Sequence, residues 1–159
     1  LSIHKQKPPT RFVRDLLAEV QCPVLLVPPK FRAIDKLVLL YDGAPASVYA
    51  IKMFSYLLPQ FAALEPEVIS VNPLNSTLHL PDNKLMKEFM KRHFPSAVYK
   101  VSKGWAETEI VRHLQDEGAN ALLVLGAYSR GTVSRWFHES MADILMRELK
   151  LPMFIAHHK

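Results

Sequence analysis

Five short apolar runs, at residues 36–41, 68–71, 97–101, 121–125 and 153–156, carry very little polar alternation. A strand with one face in water alternates apolar and polar residues, whereas a strand covered on both faces does not. The segments between these runs are of helix length. Residues 45–58 open with Pro45, which suits the first helical position, and present Val48, Ile51, Met53, Phe54, Leu57 and Leu58 as an apolar face. Residues 81–94 set Lys84, Lys87 and Lys91 on one side and Leu85, Met86, Phe89 and Met90 on the other. Residues 105–117 turn Trp105, Ile110, Val111 and Leu114 inward and stop at Gly118, a natural C-cap. Residues 139–149 supply a last helix. This alternation predicts an α/β fold: an open five-stranded parallel sheet with helices on both faces and right-handed crossovers.

The first 33 residues follow another logic. Residues 1–9 are polar and end in Lys-Pro-Pro, a flexible lead-in. Residues 11–20 then place apolar side chains at 12, 13, 16, 17 and 20, Pro23 ends the pattern, and residues 24–27 read as a short buried strand. The C-terminus repeats this order, with a helix over 141–149, Pro152, and the strand 153–156. Setting Pro23 over Pro152 pairs Leu16 with Leu145, Leu17 with Met146, Glu19 with Glu148 and Val20 with Leu149, at an offset of 129 residues. The expectation is that residues 1–33 are the tail and linker of an upstream copy and residues 34–159 one complete copy. The absence of an initiator methionine fits that reading.

Composition narrows the function classes. The longest apolar runs fall far short of the roughly 18 residues of a membrane span, and no charged start with a cleavable apolar stretch is present. A cytoplasmic protein with no membrane partner is expected. Cys22 is the single cysteine, so neither an internal disulfide nor a cysteine metal site is available; its place before an apolar run predicts a buried thiol. Residues 1–33 hold six Lys/Arg against two acids, while residues 34–159 hold fourteen against thirteen. The body of the chain is near neutral, the lysines of 81–94 read as a solvated helix face, and no nucleic-acid partner is expected.

Ligands of such sheets bind beyond the carboxyl ends of the strands, where strand order reverses. The segments at that rim are 42–46, 72–77 and 126–139. The last runs Gly126-Ala-Tyr-Ser-Arg-Gly131 and reaches Glu139-Ser140 at a helix start. Glycines that allow close backbone approach, together with a helix N-terminus, favour an anion. Other chemistries lack their residues. The seven histidines form no i, i+4 pair, and His157 with His158 reads as an exposed terminal pair. Ser129, Ser134 and Ser140 lie near His138 without a Gly-x-Ser-x-Gly elbow. Glu107 and Glu109 have no second acid identifiable for glycosidase work, and Trp136 and Phe137 read as core plugs. No catalytic residue and no metal ligand is assigned.

The order of elements, residues 37–41 ending at Asp42-Gly43, residues 68–71, and residues 122–140 followed by Pro152-Met-Phe-Ile resemble the universal stress protein family over about residues 35–157. The resemblance implies a Rossmann-like fold of the adenine nucleotide alpha hydrolase type and a stress-response regulatory module. Nucleotide-binding members carry Gly-x2-Gly-x9-Gly-Ser/Thr after the fourth strand of the domain, around the phosphates of ATP. Carried over, Asp42 with Gly43 holds the nucleoside, Val71 lies against adenine, Gly126 is the first glycine, and Ser140 is the hydroxyl residue. Ser129 replaces the second glycine, with Arg130 and Gly131 beside it, and Glu139 replaces the third. Two like charges about 4 Å apart at an effective dielectric near 20 repel by around 4 kcal/mol, roughly a thousandfold in affinity. Glu139 therefore opposes a triphosphate, and Arg130 and Arg135 offset it in part. The implied ligand is ATP or another adenine nucleotide, with magnesium for a triphosphate, and catalysis extends at most to slow ATP hydrolysis. The alternative is a dimerisation or interaction module of the same fold without nucleotide. Family members also pair through their final strands, so residues 24–27 are expected antiparallel to 153–156 as a sixth strand, within one chain or in a homodimer.

Overall fold

A computed structural model describes residues 9–118, 120–127 and 141–157. In chain order the elements are α1 (Arg11–Glu19), β1 (Val24–Leu26), β2 (Lys36–Leu40), α2 (Pro45–Leu57), a 3-10 turn (Pro59–Ala63), β3 (Pro66–Asn72), α3 (Asn83–His93), β4 (Val98–Lys103), α4 (Ala106–Glu117), β5 (Ala121–Ala127), α5 (Met141–Glu148) and β6 (Met153–His157). They form one six-stranded sheet in the order β1-β6-β5-β2-β3-β4. β2 to β6 are parallel, and β1 lies antiparallel on β6 with Val24 opposite Ile155, Leu25 opposite Phe154 and Leu26 opposite Met153. The expected α/β sheet and its sixth, antiparallel strand are both present.

Four of the five apolar runs have the meaning assigned to them; β4 does not, since it is the edge of the sheet and is only part-buried, with Val98 exposed. Every residue of β3 and β6 is buried. β2 and the residue after it divide their side chains one by one between two cores. Val38 and Leu40 join Ile69, Val71, Leu123 and Leu125 under α4 and α5. Leu37, Leu39 and Tyr41 join Val68, Leu122 and Val124 under α2 and α3. Phe54 of α2 anchors the second core, its ring 5.2 Å from Phe154, 6.0 Å from Phe61 and 6.4 Å from Phe94.

Several expectations fail in detail, each for a local reason. The buried face of α2 is Ser47, Ala50, Ile51 and Phe54, so the stripe starts on small residues and Leu57 is left exposed. α3 begins at Asn83 because Asp82 before it takes a left-handed φ of 44°; Met86 and Met90 are buried, but Leu85 is exposed. Trp105 is the N-cap of α4, ahead of the helical period, and stands 77% exposed. β1 has neighbours on one side only, and Leu25 faces solvent. Cys22, in the turn before that edge strand, is exposed rather than buried. His157 ends β6, which lies between β1 and β5, beside Ala127 and is buried, against the expected exposure; His158 lies outside the described residues. α1 leans on the domain without being enclosed by it. Thr10 caps it, Arg14 pairs with Asp143 of α5 at 3.0 Å, and Leu17 and Leu26 touch the α4–α5 core, but Phe12 is exposed.

Candidate functional site at the carboxyl rim of the sheet

The chain builds β2, β3 and β4 outward in one direction and then places β5 on the other side of β2. Strand order therefore reverses between β2 and β5, the place where open α/β sheets bind ligands. Four of the expected site residues meet there. Leu40 lies beside Ile69, so two residues further on each strand reach Asp42 and Val71. Leu39 lies beside Val124, and two residues on come Tyr41 and Gly126. Three adjacent strands thus deliver Asp42, Gly43, Val71 and Gly126 to one edge.

Asp42 is buried, and its Oδ1 accepts the Ala44 N–H at 2.9 Å. This Asx turn reverses the chain into α2. Gly43 has φ +83°, and a Cβ on it would come within 2.9 Å of the Pro81 side chain. Glycine here answers both a left-handed backbone and a neighbour already in contact. Gly126 has a different reason. A Cβ there would stand 2.6 Å from the Ser47 backbone nitrogen and closer still to the Ala46 carbonyl, so the first turn of α2 rests directly on β5. Val71 is buried against the α4–α5 core, opposite Ser102 of β4.

Two residues that hold the rim in place escaped the sequence reading. Asn72 ends β3, and its Nδ2 donates to the Thr77 and His79 carbonyls, both at 2.8 Å. The Tyr41 hydroxyl donates to the Pro81 carbonyl at 3.1 Å. Together they fold the loop after β3 back toward Gly43. An asparagine at a strand end before Pro73 was the only available signal. Ser129, Arg130, Gly131, Glu139 and Ser140, with Trp136 and Phe137, lie outside the described residues. Among the described residues no group of three or more His, Cys, Asp or Glu side chains gathers as a metal site, and no helix is long and apolar enough to cross a membrane.

The opposite end of the sheet carries a polar cluster that does not belong to this rim. Glu67 at the start of β3 accepts from Lys36 Nζ at 2.8 Å and from His113 Nε2 at 2.9 Å. Lys100 Nζ lies 2.8 Å from His113 Nδ1. An ammonium only donates, so Nδ1 accepts and the imidazole proton sits on Nε2 toward Glu67. Burial pushes the Glu67 carboxyl up, but the hydrogen bonds from His113 and Lys36 outweigh it and hold it below the usual carboxylate range.

No protein-family model and no curated protein sequence matches the chain. Solved structures do. A universal stress protein from Archaeoglobus fulgidus superposes with a TM-score of 0.66 at 16% identity, over 91% of this chain and 53% of that one. A functionally unknown protein from Pseudomonas aeruginosa gives 0.61 at 17%, over 93% and 56%. A universal stress protein solved in complex with cAMP gives 0.56 at 18%, over 80% and 100%. The chain is built on the universal stress protein fold, and it spans about half the length of the first two of these relatives.

Proposed function

We propose that this chain is a stress-response regulatory module of the universal stress protein type that binds an adenine nucleotide at the β2–β5 rim. The observation that carries the reading is the meeting of Asp42, Gly43, Val71 and Gly126 on three adjacent strands at the reversal of strand order. A neighbour of the same fold is solved with cAMP, which supports an adenine ligand. The Asp42 carboxylate orients the nucleoside, Val71 supports the base, and the stretch from Gly126 through Ser129, Arg130, Gly131, Glu139 and Ser140 meets the phosphates. Magnesium enters only with a triphosphate, and Glu139 favours ligands with fewer phosphates over ATP. The setting proposed is the cytoplasm, where such nucleotides are abundant.

The test is calorimetric titration with AMP, cAMP, ADP and ATP, with and without magnesium, on the parent chain and on Asp42→Asn. Saturable heat that the variant weakens about tenfold is expected, the value of one hydrogen bond to a charged group. No heat at millimolar ligand overturns the reading and leaves an interaction module of the same fold.

A second reading concerns residues 1–33, proposed as the tail and linker of an upstream copy. It is supported by β1 occupying the outer edge of β6 antiparallel. Further support comes from the longer relatives, which cover 91–93% of this chain where the cAMP-bound one covers 80%. A homodimer in this arrangement pairs through the outer edge of β1 rather than through β6.

A further inference from the structure

On the face away from Val71, α2 and α3 descend from the rim side by side and meet through side chains, with Ser55 Oγ 2.8 Å from His93 Nδ1 and the Tyr56 and His93 rings 5.5 Å apart. The seam between them is an open groove of two adjoining concavities, about 450 and 490 Å3, that share Lys52 and Phe89. α2 contributes Tyr49, Lys52 and Tyr56, and α3 contributes Leu85, Phe89 and Arg92. Both sets repeat at three or four residues, so the groove follows each helix for two turns, roughly 10 Å. Tyr56 is 62% and Leu85 72% exposed. Isolated exposed apolar side chains are ordinary, but these line one concavity.

The groove is lined by two cations, Lys52 and Arg92, and two carboxylates, Asp82 and Glu88, and further lysines on α3 make its surroundings positive. Glu88 is held by Lys91 at 3.0 Å, while among the described residues neither Lys52 nor Arg92 has a carboxylate within ion-pair distance. Burial, with the fields of Lys52 and Arg92, holds His93 below the usual imidazole range. Lys84 and Lys87 add charge from the exposed side of α3.

We propose that the α2–α3 groove docks an acidic amphipathic helix of a partner protein, its apolar stripe on Tyr49, Tyr56, Leu85 and Phe89 and its carboxylates on Lys52 and Arg92. The groove is walled by helices and offers no free strand edge, which favours a helix over an extended segment. Its apolar centre between the two cations suits a mixed apolar–acidic surface better than a row of phosphates, and its concavity does not suit a flat lipid surface. The first concavity reaches Tyr41 and Gly43 at the rim, but docking there requires no nucleotide.

The probe is a fluorescein-labelled peptide of about 15 residues, with leucines at i, i+3, i+4 and i+7 and glutamates beside them. The comparison peptide carries lysine at each glutamate. Fluorescence anisotropy at low salt is expected to show saturable binding of the acidic peptide alone, weakened about tenfold or more by Lys52→Glu with Arg92→Glu and by Leu85→Asp. All three side chains are exposed, and Lys52→Gln with Arg92→Gln, which remove charge without reversing it, shift binding in the same direction. Absence of binding, equal binding of the lysine peptide, or binding untouched by these variants overturns the proposal. So does stronger association with single-stranded RNA or with phosphatidylserine vesicles than with the acidic peptide.

Discussion

Substituting Gly126 by alanine tests whether that glycine serves packing as well as ligand. The added methyl would lie 2.6 Å from the Ser47 backbone nitrogen, where ordinary contact begins near 3.4 Å. The clashing atoms are backbone of the first turn of α2, which Pro45 starts and whose Ser47, Ala50, Ile51 and Phe54 are all buried, so α2 must shift by nearly an ångström. Overpacking of this kind costs about 1–3 kcal/mol, and contact with backbone puts Gly126→Ala at the upper end. The loss of unfolded-chain freedom returns about 0.4–1 kcal/mol, which leaves a net loss near 2 kcal/mol. For a chain of this length that lowers Tm by about 4–8 °C, read by circular dichroism. Gly118→Ala is the comparison: nothing lies within 4 Å of its Cβ, but φ is +58°, and the left-handed backbone alone costs about 1–2 kcal/mol. A Gly126→Ala protein melting within about 1 °C of the parent refutes the packing argument. The melting loss also sets the baseline for any loss of nucleotide affinity in that variant.

Three further outcomes are expected. Because the folded Glu67 carboxyl titrates below its unfolded value of about 4.3, its contribution is present above that pH and is lost as pH falls through the folded value; Glu67→Gln should cost about 1–3 kcal/mol at neutral pH and flatten the acid limb of a pH–stability curve, and an unchanged acid limb contradicts the cluster. Cys22, being exposed, should react with a thiol reagent in the native protein nearly as fast as in denaturant, whereas strong protection contradicts the fold of the segment before β1. Glu139→Gly should tighten ATP far more than AMP, by up to the thousandfold set by like-charge repulsion, and equal affinities before and after remove Glu139 from the phosphate side of the site.

The sheet was legible because two-sided burial leaves a direct mark on sequence: β3 and β6 read as unbroken apolar runs and are buried throughout. The strand β1 was marked by the repeated helix–proline–strand order around Pro23 and Pro152, and its antiparallel pairing was implied by the family resemblance. Side-chain direction was less legible where the helical period was carried past a helix end, as with Trp105 at the N-cap of α4 and Leu57 at the last residue of α2. Small residues hid the true inner face of α2, since Ser47 and Ala50 are buried yet count for little in a hydrophobic pattern, and Gly126 completes the close approach at the Ala46 and Ser47 backbone. At the rim, Asp42, Gly43 and Gly126 were found from their places at strand ends and Val71 from the family resemblance, whereas Asn72 and Tyr41 act through partners 5–7 and 40 residues away. The Glu67 cluster joins residues 31 and 46 apart in sequence, and no local pattern announces such a meeting. The α2–α3 groove likewise exists only once two helices separated by a strand are set side by side.

The central claim, a nucleotide site at the β2–β5 rim, is tested most directly by amide spectra of 15N-labelled protein recorded through a titration with AMP. The account predicts saturable shifts concentrated at Asp42, Gly43 and Ala44, at Val71 and Asn72, and from Gly126 onward, with the amides lining Lys52 and Phe89 unmoved. Shifts confined to the α2–α3 groove, or a spectrum unchanged at millimolar AMP, contradict it.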